Sequence, residues 1–159
     1  MPTLPTDFKP IASAYSHSGP GGVMRTEVAG GASRYGLEWD RGPQHFNVTL
    51  ILDQTQFSVW VAFYTHLIKK GALSFDMQLD SGFGVQEHTC NIVPDSYQAA
   101  RTGGSVLAVS FVVEAESKAY DMSATDAQGL VDLYNTYGSS SNALLARIAL
   151  FATVESNVL

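Results

Sequence analysis

The sequence predicts an α+β fold: an antiparallel β-sandwich or roll with one packed α-helix, followed by a C-terminal helical appendage. Three observations predict it. Residues 45–79 read as a strand, a capped helix and a second strand in immediate succession. Residues 85–93 read as the second strand of a hairpin, and 105–116 place Leu107, Val109, Phe111 and Val113 on one strand face. After Ser117 the apolar spacing changes to three and four, the signature of a helix. Strands gathered in one half and helices in the other belong to the α+β class.

Residues 1–33 are punctuated rather than periodic. Pro2, Pro5, Pro10 and Pro20 alternate with Gly19, Gly21, Gly22, Gly30 and Gly31. Proline removes a ladder donor and glycine costs backbone entropy, so the expectation is an extended arm lying on a neighbour. A short strand over 23–28 fits inside it. Residues 34–40 place Tyr35, Leu37 and Trp39 on one face, which predicts a half-buried strand. Arg41-Gly42-Pro43 then turns the chain.

In the next strand Phe46, Val48, Leu50 and Leu52 share a face, and Asp53 follows as an N-cap. Its carboxylate can accept from the first-turn N–H groups, and Gln56 stands where a capping box wants Glu or Gln. Phe57, Trp60, Val61, Tyr64, Leu67 and Ile68 form the expected core stripe of a helix over 54–70. Lys69 and Lys70 suit its negative end, and Gly71 its left-handed C-terminal residue. Leu73, Phe75, Met77 and Leu79 define one face of a strand that pairs with 85–93 through the turn 80–84. Residues 94–104 read as a longer polar loop. Leu107, Val109, Phe111 and Val113 share the inner face of 105–116. That makes four or five strands in all.

Beyond 117, a helix starts near Ser123 with Leu130, Leu133, Tyr134 and Tyr137 as its stripe, and Gly138 ends it. A second amphipathic helix is expected over the final residues, with Leu144, Ile148 and Phe151 together. The predicted organisation is therefore residues 1–120 as a β-sandwich domain with an arm at 1–33, and 121–159 as a two-helix appendage. Two helices of this length cannot bury a core of their own, so they are expected to dock on the sheet or on another chain.

Composition narrows the function. Charged residues make up 15% of the chain against about 25% in typical domains, while 45% are hydrophobic. So little surface charge points to a covering partner subunit. A net charge of −6, with nine Lys and Arg scattered from Lys9 to Arg147, argues against a phosphate-binding surface. The single cysteine, Cys90, has no internal disulfide partner and reads as a small buried hydrophobe. The opening lacks the apolar core of a secretory signal, and no apolar run is long enough to span a bilayer. The expected place of synthesis is a reducing cytoplasm.

Motifs for chemistry are sparse. His17, His45, His66 and His88 stand alone, apart from His88 and Cys90 on one strand face, and a zinc site needs three or four ligands. Ser105 follows two glycines but lacks a nucleophile elbow. The glycine-rich residues 19–22 have no Lys-Ser/Thr after them to cradle phosphate. Glu114 and Glu116 share a strand face and read as a solvated rim rather than an acid/base pair. Trp60 and Trp39 read as core, although Trp and Tyr together can also build a sugar platform. The expectation is no catalysis, no cofactor and no metal.

The motifs in order carry a resemblance. Ala14-Tyr15-Ser16, Gly22-Val23-Met24-Arg25-Thr26-Glu27 and Phe46-Asn47-Val48-Thr49-Leu50 open the set. Phe63-Tyr64, Gly71-Ala72-Leu73-Ser74-Phe75 and Val109-Ser110-Phe111-Val112-Val113-Glu114 complete it. Together they resemble the minor tail protein M and distal tail protein family of long-tailed, lambda-like bacteriophages, over residues 4–117. The resemblance implies a tail-tube-like fold and a hexameric ring in the virion that joins the tail tube to the hub. The implied partners are further copies of the chain, the tube protein and other tail-tip proteins, without specific nucleic-acid or membrane binding. The helical appendage departs from the shorter family pattern. Expected subunit contacts are Tyr15, Arg25, Phe83, Tyr97, Arg101, Tyr134, Tyr137 and Phe151. Two other classes are kept beside this reading. A receptor- or carbohydrate-binding β-sandwich predicts exposed aromatics in loops, and a small hydrolase predicts His and carboxylates converging in one cleft.

Overall fold

The computed structural model describes residues 1–11, 14–140 and 142–143. The chain divides into two compact units, Met1–Ala119 and Tyr120–Leu159. The first holds β1 (Ser16–Ser18), β2 (Val23–Thr26), β3 (Arg34–Leu37), β4 (Pro43–Leu52), α1 (Gln54–Ala62), β5 (Phe75–Asp80), β6 (Val85–Ile92), β7 (Gln98–Gly103) and β8 (Val106–Glu116). The second holds α2 (Ala124–Tyr137). Antiparallel sheets with two helices make the fold α+β.

The main sheet runs β1-β4-β8-β6-β5. β4 covers one flank of β8 along its length, from Pro43 opposite Glu116 to Leu52 opposite Leu107. The other flank is shared, with β6 beside Val113–Ala115 and β7 beside residues 106–110. Period two decides what is buried. Phe46, Val48, Leu50 and Leu52 of β4 meet Phe75, Met77 and Leu79 of β5 and Leu107, Val109, Phe111 and Val113 of β8 on the interior side. On the outer face Thr49 and Ser110 hydrogen-bond across the strands at 3.0 Å. Leu73, expected on the apolar face of β5, precedes that strand and is exposed.

The helix begins as the capping box requires. Gln56 N–H donates to Asp53 Oδ1 at 2.7 Å, and Asp53 N–H donates to Gln56 Oε1 at 3.0 Å. It does not continue as one α-helix to residue 70. A π turn takes over at Phe63–Leu67, then a 3₁₀ turn at Lys69–Gly71. Ile68 N–H reaches back five residues to Phe63 O at 3.1 Å. The extra residue in that turn rotates the stripe by roughly 100°. Phe63 and Ile68 therefore join Trp60 in the core, and Leu67 faces solvent. Val61 is exposed as well. Left-handed backbone is adopted by Lys69, Lys70 and Gly71 together, at φ 51°, 60° and 94°. A Cβ on Gly71 would meet Ile92 Cβ at 3.1 Å, so the site is closed to larger residues on two grounds.

The first residues are not an arm lying on a neighbour. Asp76 N–H donates to Pro2 O at 3.0 Å, and Leu4 N–H donates to Asp76 O at 2.8 Å. Pro10 then bridges to Leu50, and Ile11 N–H donates to Thr49 O at 3.0 Å. The segment thus crosses from the β5 edge to the β4 edge and sends Leu4 and Phe8 into the core. Three prolines exclude a continuous strand but permit isolated bridges. Residues 94–104 also depart from expectation, since Gln98–Gly103 form β7 rather than loop. Six strands therefore build the main sheet, with β2 and β3 as a separate pair.

In the second unit, Ser123 caps α2 by accepting from Asp126 N–H at 3.1 Å, and Gly138 closes it. Leu130, Tyr134 and Tyr137 of its stripe are exposed. The expected second helix lies outside the described residues.

Candidate interaction surface

β2 and β3 pair in register, Val23 opposite Leu37 and Arg25 opposite Tyr35. Side chains of directly opposed residues share a face, so Val23, Arg25, Tyr35 and Leu37 form one side of the ribbon. Met24, Thr26, Arg34 and Gly36 form the other. The half-buried strand expected at 34–40 is instead open on both sides. Tyr35 is 70% exposed, Leu37 69% and Val23 63%, with Met24 and Trp39 also more than half exposed. Among the described elements, β2 and β3 pack on each other and on no other.

The root of the ribbon is firmly built. Gly22 O accepts from Glu38 N–H at 2.7 Å. A Cβ on Gly22 would fall 2.3 Å from Trp39 O, and its φ of 114° favours glycine as well. Buried Gln44 donates from Nε2 to Gly19 O at 3.3 Å, tying the root to β4. Arg41 meets Glu116 at 3.2 Å. Beyond the root, Arg25 binds Ser33 Oγ at 3.0 Å and Glu27 at 3.3 Å, both in solvent. A lone two-stranded ribbon is marginally stable in water. Large exposed apolar side chains gathered on one are the mark of an interaction site.

The expected contact residues are spread over the molecule. Arg25 lies on the ribbon, and Phe83 is exposed in the β5–β6 turn. Arg101 on β7 donates to Gly104 O at 2.8 Å and to Gln54 Oε1 at 3.5 Å. Tyr15 and Tyr97 are used within their own unit. Tyr15 hydroxyl donates to Asp80 O at 2.7 Å and accepts from Asp80 N–H at 2.9 Å. Burial raises its pKa, the hydrogen bond from the Asp80 N–H opposing this. Tyr97 stacks on Tyr64 at 4.5 Å beside Trp60, which itself stacks on Phe111 at 5.0 Å. Tyr134 and Tyr137 are exposed on α2, and Phe151 lies outside the described residues. Sequence reasoning missed Val23, Met24, Tyr35, Leu37 and Trp39 as a surface. Their alternation was visible, but it signals an apolar face and not what covers it.

The groups considered for chemistry are otherwise engaged. Glu114 faces His45 at 4.0 Å, while Glu116 holds Arg41, so the two carboxylates are drawn to separate partners. His88 Nδ1 lies 2.9 Å from Gln86 O and Nε2 lies 3.0 Å from Ser81 Oγ. A carbonyl only accepts, so Nδ1 donates to Gln86 O, and Nε2 shares the second hydrogen bond with the Ser81 hydroxyl. Both residues are buried, and Ser81 Oγ also accepts from Lys118 N–H at 3.3 Å. Cys90 donates to His88 O at 3.2 Å. Burial, aided by the Asp76 carboxylate, pushes the Cys90 thiol up to about 12. No group of three or more His, Cys, Asp or Glu placed to hold a metal occurs among the described residues.

Comparison with family models, with curated proteins and with solved structures found no match to this chain. No helix among the described residues is long and apolar enough to cross a membrane.

Proposed function

We propose that the chain is a structural protein of a bacteriophage tail tip, a distal- or minor-tail component that forms a ring between tube and hub. The observation that carries this reading is the β2–β3 ribbon. It stands apart from the sheet with Val23, Met24, Tyr35, Leu37 and Trp39 in solvent, as a subunit awaiting neighbours would hold it. The ordered motifs at Ala14-Tyr15-Ser16, residues 22–27 and residues 109–114 supply the phage-tail assignment by resemblance. The low share of charged residues agrees with a surface meant to be covered. In this reading the sheet with α1 is the rigid wedge, and the ribbon and α2 are the contacts.

The test is particle composition and symmetry. Tail tips purified from virions should contain the chain as a ring, and the isolated chain should associate. A strict monomer that is absent from particles would overturn the proposal. One observation favours a second reading: Tyr35 and Trp39 are open aromatics of the kind that stack on sugars. Under that reading Trp39→Ala abolishes binding on a glycan array and leaves assembly intact.

A further inference from the structure

The N-terminal segment leaves one place on the β5 edge uncovered. Asp76 turns its N–H and C=O away from β6, to Pro2 and Leu4. Asp80 turns its own pair the same way, to the Tyr15 hydroxyl. Strand alternation directs the N–H and C=O of Gln78, midway between them, to the same side. A continuing parallel ladder would have covered Gln78. Instead the chain turns at Pro5, where Phe8 N–H donates to Pro5 O at 3.0 Å. The gap is a pocket of about 440 Å³ lined by Leu4, Phe8, Pro10, Tyr15, Gln78 and Val85 among others. It pairs one open main-chain donor and acceptor with apolar walls, which is what an extended peptide requires.

We propose that this pocket is the acceptor for the β2–β3 ribbon of a second copy, whose outer edge pairs with Gln78 while one apolar side chain enters the pocket. The inference rests on the assembly reading above. Two further facts select this occupant. β5 carries Asp76 and Asp80, and Lys9 lines the same pocket; on the ribbon Arg25 already holds Glu27, while Arg34 meets no carboxylate among the described residues. Arg34 is therefore the ribbon charge available to the β5 carboxylates. The ribbon is also a free-standing pair of strands whose exposed apolar side chains match an apolar pocket elsewhere on the same unit. Contact between two different patches is head-to-tail, so it closes into rings or propagates.

The test measures mass against concentration by sedimentation velocity, using the full chain. Gln78→Pro and Val85→Glu change the acceptor, and Leu37→Glu changes the ribbon. Gln78→Pro removes an N–H that the β6 ladder does not use. Val85 is exposed, so its variant keeps the fold if the proline variant does not; circular dichroism verifies each. Wild type is expected to associate, and each variant alone to do so at least about tenfold more weakly, through the lost Gln78 N–H donor and the proline ring at the edge in one case and through a carboxylate set against apolar surface in the other two. An equimolar mixture of Val85→Glu and Leu37→Glu should associate again but stop at pairs, since each pair has one intact ribbon facing one intact pocket. Variants that associate like wild type would overturn this placement and leave the assembly reading standing. A mixture no better than its components would overturn the head-to-tail pairing. A wild-type chain that stays monomeric overturns the placement too, and particle composition then decides separately whether the chain belongs to tails.

Discussion

β4 and β3 have the same pattern and opposite fates. Phe46, Val48, Leu50 and Leu52 share one face of the strand, opposite Asn47, Thr49 and Ile51, and are buried; Tyr35, Leu37 and Trp39 share a face in the same way and stand in water. The difference lies in the neighbours. β4 has β8 along its flank and the core of α1 and β5 against its inner face, while among the described elements β3 has only β2. Period two reports that one face of a strand is apolar. Whether that face meets the same chain or another is settled by topology.

The largest expected effect tests this contrast directly. Leu50→Ala should cost about 2–5 kcal/mol in urea unfolding, the range for emptying a tight core site. Leu37→Ala should stay within about 0.5 kcal/mol in the monomer. An equal loss from both would mean that the ribbon packs on its own body.

How far the sequence was legible follows the same line. The alternating strands and the Asp53 cap were readable because each is a local code with one outcome. The π turn at Phe63–Leu67 was not, because helical spacing cannot reveal an inserted residue; the five-residue hydrogen bond from Ile68 N–H to Phe63 O and the shared burial of the two residues betray it. β7 was hidden because residues 98–103 are exposed on both faces and so carry no alternation. Leu4 and Phe8 were hidden by prolines, which announce breaks and say nothing of where an isolated side chain goes. As for the interaction surface, its residues were visible and its exposure was not.

The next effect sharpens the core side through pH. Burial pushes the Cys90 thiol up from its ordinary 9.0 to about 12 in the fold. A raised pKa favours the protonated thiol, so this contribution is whole below pH 9 and is lost as pH climbs from 9 toward 12. The slope is up to about 1.4 kcal/mol per pH unit. Unfolding midpoints of wild type should therefore fall more steeply above pH 9 than those of Cys90→Ala. Parallel curves would show that the thiol is open to solvent.

Smaller again is the effect of loosening the ribbon at its root. Gly22→Ala forces a Cβ against Trp39 O in left-handed backbone, a strain of about 1–3 kcal/mol. Because the ribbon packs on no other element among the described residues, the cost should appear as faster proteolysis within residues 23–37, with little change in the global unfolding midpoint. A matching drop in the midpoint would show the ribbon to be coupled to the sheet. Smallest is Glu116→Gln, which removes the exposed Arg41–Glu116 pair and should cost below about 1 kcal/mol by chemical denaturation.

The opening residues have a consequence beyond packing. Pro2 and Leu4 occupy the main-chain groups of Asp76, and the Tyr15 hydroxyl occupies those of Asp80. Together they act as a latch over all but one residue of a sheet edge. Lifting that latch would bare three successive outward pairs along β5, a template on which strands of any copy add without limit. The same few residues would then separate a subunit that joins its neighbours at one defined point from one that polymerises into disordered aggregate.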